Sequence, residues 1–361
     1  MTPPPLSRRQ LIDALRRSYP AENTLHLKFG RCSVQVATNA PAINQALKDY
    51  FGQFCADPQA ADIVITAHEA PEADLPVSYR LKPPEPGKSK IKEEYVDLAD
   101  GRIVRKCLTG MVFIFGGDGN LAIGPCQANL NQVVNFINNR YIEWLLCQGG
   151  LLGHAAGVVI EGRGLALAGF SGAGKSTLAL HLMRKGAVFV SNDRLIIQQN
   201  PDGLMMHGVA KLPRINPGTA LNNPHLQGVM SEAERRRFSG LPPEELWNLE
   251  HKYDAPIDAC FGPDRFELSA PMSGLVILNW RRGQQPMTTQ RVALAERRDL
   301  LPAFMKPAGL FFLPDDACRM PEPTPAGYLD LLSSCPVWEF SGGIDFEAAT
   351  RACLDLWQQR L

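Results

Sequence analysis

The residues with the clearest capacity for chemistry in this 361-residue chain are Gly169-Phe170-Ser171-Gly172-Ala173-Gly174-Lys175-Ser176, a G-x-x-x-x-G-K-[S/T] loop. Glycines at this spacing let backbone N–H groups turn inward and cradle phosphate oxygens at a helix N-terminus. Lys175 then serves as a point charge for the β- and γ-phosphates, and Ser176 offers a hydroxyl to Mg²⁺. The pattern alone arises by chance; a strand before it and a helix after it make it specific. Both are legible here. Gly164-Leu165-Ala166-Leu167-Ala168 reads as a buried strand, and Ser176 to Arg184 as a helix with Leu178, Leu182 and Met183 apolar. The loop implies a nucleoside triphosphate, ATP with Mg²⁺, held by Gly169, Phe170, Ser171, Gly172, Ala173, Gly174, Lys175, Ser176 and Thr177.

Three further groups surround it in sequence. Strand Val188-Phe189-Val190 delivers Asn192-Asp193, and an acid at a strand end beside a phosphate loop sits where a Mg²⁺ ligand or a catalytic base belongs. His154 precedes strand Val158-Val159-Ile160; from that segment alone, a lone histidine reads as structural. Lys211-Leu212-Pro213-Arg214 reads equally as an anchor for phosphate or an acidic substrate and as a solvated basic loop. The charge-rich stretch Glu232 to Arg237 reads as a solvated helix face.

Together these segments resemble the catalytic domain of HPr kinase/phosphorylase. The matching text is His154-Ala155-Ala156-Gly157-Val158, Gly169 to Thr177, Leu178 to Gly186 and Val190-Ser191-Asn192-Asp193. The histidine lies 21 residues before Lys175 and the acid 18 after it, as in that family. The resemblance is close over roughly residues 149–200, loose over the rest of the C-terminal part and absent over 1–126. It implies an atypical phosphate-loop fold shared with phosphoenolpyruvate carboxykinase, and γ-phosphoryl transfer to a serine-type hydroxyl of a protein or peptide. By that resemblance Lys175 clamps phosphate, Ser176 and Asp193 meet Mg²⁺, Asp193 takes the acceptor's proton, His154 lies by the γ-phosphate, and Arg214 is retained. The family's hexamers imply a homo-oligomer.

The departures matter as much. Asn192 stands where the family has the first of its paired acids, and Leu212-Pro213-Arg214-Ile215 lacks the family's metal-binding glutamate. Tyr253-Asp254 is followed by Ala255 in place of arginine, and Ala270-Pro271-Met272-Ser273-Gly274 offers no Arg- and Gly-rich loop for phosphorolysis. The chain resembles most a divergent HPr-kinase-related kinase of the "kinase B" type, without the dephosphorylating activity. A small-molecule kinase and a nucleotide-binding scaffold with little turnover are the alternatives.

The elements that must position these groups form two parts. Residues 1–126 read as a smaller N-terminal α+β domain. It holds a hairpin around Gly30, a helix through Ile43, Leu47 and Phe51, an exposed loop over Lys82 to Lys92, and a meander of short strands from Tyr95 to Ile123. Residues 127–361 read as an α/β phosphate-loop domain with a mixed sheet. It opens with a helix through Leu130 to Leu145 and closes with one over Phe346 to Leu361. Lys plus Arg and Asp plus Glu are 37 each, so global charge gives no support for a nucleic-acid partner. Nine scattered cysteines without a C-x-x-C pair read as reduced thiols in a cytoplasm. With no apolar run of membrane-spanning length and no secretory signal, the expectation is a cytoplasmic chain without a membrane partner.

Overall fold

The computed structural model describes residues 6–84, 89–249 and 251–358. Part of the expected 82–92 loop and the last three residues of the expected closing helix lie outside them. The fold is mixed α/β with two large mixed sheets and divides into two compact units.

Unit 1 comprises residues 1–148 and 308–319. Its eight strands run in the spatial order Asn23–Phe29, Cys32–Thr38, Ile63–Glu69, Gly119–Gly124, Val112–Gly116, Gly101–Lys106, Glu93–Leu98, Arg80–Leu81. The hairpin at Gly30 forms with Phe29 opposite Cys32. The meander is antiparallel from Glu93 to Gly124. Alternating valines and isoleucines on Cys32–Thr38 and Ile63–Glu69 suit half-buried strands, and these pair in parallel. Helix Pro41–Phe51 makes the crossover between them, burying Ile43, Leu47 and Phe51.

The boundary falls at 148/149, not near residue 126. Helix Leu130–Cys147 belongs to unit 1 because its apolar face meets that unit's core: Phe136 lies 4.9 Å from Phe113, and Tyr141 5.1 Å from Phe29. The second departure is the return of 308–319 to unit 1. Phe311 lies 5.5 Å from both Phe113 and Phe115, and Arg102 donates to Leu310 O at 2.9 Å. Arg140, 3% exposed, donates to Phe311 O and pairs with Glu143 at 2.8 Å, while Glu143 accepts from Leu313 N at 2.7 Å. The return also brings Cys318 to Cys147 as a disulfide, across 171 residues of sequence. The expectation of nine reduced thiols therefore fails for these two. Spacing patterns expose local frameworks, and this bond depends on a distant segment coming back.

Unit 2, residues 149–307 and 320–361, holds the nine-stranded sheet. Its hub is the long strand Ser269–Leu278. One end, Ser269–Pro271, pairs antiparallel with Gly203–His207; the other runs parallel to Arg163–Gly169 and to Val337–Ser341. The segment Ala270 to Gly274 is thus sheet rather than loop. Helix Lys175–Arg184 and helix Phe346–Gln358 cover one face, burying Leu178, Leu182, Trp338, Cys353 and Trp357 in a common cluster. No described helix is long and apolar enough to cross a membrane.

Removing one partner of a buried ion pair strands the other charge. Arg140→Ala is therefore expected to destabilise unit 1 by about 3–5 kcal/mol, read as a drop in the urea midpoint. A loss below about 1 kcal/mol, the range of exposed pairs, would show that the pair does not hold the return segment.

Candidate phosphate-binding cleft

Strand Arg163–Gly169 ends where the glycine loop begins, and helix Lys175–Arg184 starts where it finishes. Gly174 caps that helix at φ +88°, in the left-handed region, and a Cβ there would meet the Phe346 ring at 2.6 Å. Glycine is required at this position both by conformation and by packing. Trp280 Nε1 donates to Ala173 O at 2.8 Å, pinning the loop from the far side.

The loop borders a cleft of about 1140 Å³ within unit 2. Ser171, Gly172, Gly174, Lys175, Ser176 and Thr177 line it; Gly169, Phe170 and Ala173 do not. Lys175 is buried, and its Nζ donates to Gly169 O at 2.8 Å and Phe170 O at 3.4 Å. Burial pushes its ammonium down to about 8, with Asp193 opposing the shift and Lys306 adding to it. The Thr177 hydroxyl bonds that of Thr219 at 2.9 Å, which ties the loop helix to the helix Pro217–Leu221.

The other sequence candidates face the same cleft. Strand Val188–Ser191 leads into a turn closed by Ser191 Oγ donating to Arg194 O, and this turn presents Asn192 and Asp193. His154 occupies the break between strands Gly150–Gly153 and Ala155–Ile160, its Nε2 2.9 Å from Asp193 Oδ1. The residue that reads as structural from its own segment is thus joined to the acid. Asn192 Oδ1 is buried and has no hydrogen-bond partner among the described residues.

Sequence reasoning missed Lys306. It follows a short 3-10 turn, in a segment without any motif, and its Nζ lies 3.1 Å from Asp193 Oδ2. Both carboxylate oxygens are therefore engaged. Burial alone would raise the Asp193 carboxyl, but the His154 hydrogen bond and the Lys306 charge outweigh it and hold the group well below the usual carboxylate range. Only the apolar Phe304 and the proline after Lys306 hint from sequence that this stretch is anchored.

Arg214 lines the cleft from its half-exposed rim and pairs with Asp254 at 3.4 Å. Arg214–Ile215 and Tyr253–Asp254 form a two-residue antiparallel ladder, so two stretches read separately in the sequence meet. Ala255 is fully buried in an apolar cluster with Ile215 and Phe238. Lys211 is pushed down to about 8 by burial and by the neighbouring Arg194 and Arg214 charges. Glu234, in the stretch expected to be a solvated face, accepts from Tyr253 Oη at 2.8 Å and so braces this ladder.

No family model matches the chain, and no curated protein matches it. Among solved structures it is similar to the HPr(Ser) kinase/phosphatase from Coxiella burnetii, at 12% identity and a TM-score of 0.29. That match covers 57% of this chain and 97% of the other. A likeness of that size says nothing about chemistry, which must come from the cleft itself.

A polyphosphate binds best when the lysines facing it are protonated. Affinity for a nucleoside triphosphate is therefore expected to be flat below pH 7 and to fall above pH 8, approaching tenfold per pH unit. Titration of Lys175→Arg, cationic throughout, assigns the group: loss of the decline identifies Lys175, and its persistence identifies Lys211.

Proposed function

We propose that this chain is a Mg²⁺–ATP-dependent phosphotransferase that delivers the γ-phosphoryl group to a hydroxyl of a protein or peptide partner. The observation that carries this reading is the meeting of a helix-terminal phosphate loop with an ionised acid, Asp193, braced by His154 in one cleft. In phosphoryl transfer the protein's task is positioning and charge stabilisation. Backbone N–H groups of the loop and Lys175 hold the β- and γ-phosphates. Asp193 orients the acceptor hydroxyl and receives its proton. A carboxylate so strongly held in its ionised form is a weak base, which a loose transition state tolerates.

The residues fit Mg²⁺. Among the described residues no group of three or more His, Cys, Asp or Glu comes together to hold a metal. Mg²⁺ accepts such a sparse set, since it takes one or two carboxylates and fills its shell with substrate phosphates and water. Ser176, Asp193 and the oxygen of Asn192, which has no hydrogen-bond partner among the described residues, would supply that set. When bound, the ion would offset charge on the transferring group.

A polypeptide acceptor is supported by the exposed rim of the cleft. Arg214, Lys252, Gln284, Gln285, Asp345 and Glu347 line it and are exposed, a mixed polar surface that a polypeptide can meet.

Transfer from γ-labelled ATP to total cell protein tests the reading. Lys175→Ala should abolish labelling, and Asp193→Asn should reduce it by about 10²–10⁴-fold, the range of a lost acid–base group, with nucleotide affinity largely kept. Wild-type transfer by Asp193→Asn would refute the role given to the acid. Incubating the labelled product with inorganic phosphate should release no pyrophosphate, because the segment Ala270 to Gly274 is a strand without an arginine-rich loop.

A further inference from the structure

Lys306 is bound into the sheet edge beside His154. Its N–H donates to Leu152 O at 3.3 Å, His154 N–H donates to Phe304 O at 2.6 Å, and Gly153 and Met305 form a bridge. The Tyr328 hydroxyl donates to Leu152 O at 2.5 Å from behind. The backbone under the Lys306 side chain is therefore fixed, while the side chain itself stays partly exposed, with its ammonium 3.1 Å from Asp193; Asp193 lines the cleft and Lys306 stands just behind it. There it shares with Lys175 the field of a single acid, Asp193, and the two ammonium groups oppose one another's charge. Two cations converging on one carboxylate leave a local excess of positive charge, the arrangement a polyanion relieves. Each lysine meanwhile rests on an oxygen of the protein: Lys175 on the loop carbonyls, Lys306 on Asp193 Oδ2.

We propose that Lys306 is a γ-phosphate-reading cation, which leaves Asp193 Oδ2 for the terminal phosphate when ATP binds. This deepens the phosphotransferase reading and rests on it. The exchange gives Lys306 two consequences. It adds a charge-assisted contact that ATP can make and ADP cannot, and it frees one oxygen of Asp193 when a transferable phosphoryl group is present. A plain structural salt bridge accounts for the 3.1 Å distance but predicts no preference between nucleotides.

The test is equilibrium binding of Mg²⁺–ADP and of a non-hydrolysable Mg²⁺–ATP analogue to the full chain, wild type and variants. Lys306→Ala should weaken the triphosphate by about tenfold or more, the worth of one charge-assisted hydrogen bond, and leave ADP within about twofold. Lys306→Gln keeps a donor for Asp193 but no charge, and should lose the triphosphate preference equally. Lys175→Ala should weaken both nucleotides. Unchanged preference in Lys306→Ala, parallel loss of both nucleotides, or full preference in Lys306→Gln would each overturn the proposal while leaving the phosphate-loop reading intact. Failure of the wild type to bind either nucleotide would instead overturn both.

Discussion

A carboxylate with a donor on each oxygen is the constraint around which the cleft of unit 2 is organised. His154 and Lys306 reach Asp193 at 2.9 and 3.1 Å, and both come from one short stretch of paired backbone, residues 152–154 against 304–306. That pairing has a steric condition. A Cβ on Gly153 would meet the Phe304 ring at 2.4 Å, so the close approach of the two segments requires glycine. Phe304 is in turn fully buried against Tyr328. The ionisation of the acid thus depends on an apolar contact and a missing methyl group on the far side of the backbone, as well as on the charges beside it.

The glycine loop before helix Lys175–Arg184 is stiffened in a comparable way. Trp280 holds Ala173 O, Phe346 lies under Gly174, and the Trp280 and Phe346 rings pack edge to face at 5.3 Å. His181 of the loop helix stacks on Phe346 at 5.6 Å. Lys175 adds to this by donating to the loop's own carbonyls, and a preformed loop loses little entropy on binding a ligand.

What could be read from the sequence was what neighbouring residues decide. The strand, loop and helix around Lys175, the hairpin at Gly30, the meander and the closing helix all follow from short-range periodicity and turn chemistry. What could not be read depends on segments that meet from afar. Lys306 stands 113 residues from Asp193, Arg214 meets Asp254 through a ladder too short to announce itself, and Cys147 joins Cys318 across 171 residues. Ala255 is instructive in another way. Its place in the sequence reads as a lost functional arginine, whereas its place in the fold is an apolar cluster.

The return of residues 308–319 to unit 1 has a consequence for how such a protein can be assembled or taken apart. Neither unit is an uninterrupted stretch of chain. A gene fragment encoding residues 1–148 would omit Phe311, which fills the space among Phe113, Phe115 and Phe136, and the carbonyl that receives Arg140. A fragment starting at residue 149 would carry that same apolar strip with nothing of its own to cover it. The two halves are therefore poor cassettes: recombination at the visible boundary severs an interior, and exchange between relatives has to carry both pieces of unit 1 together.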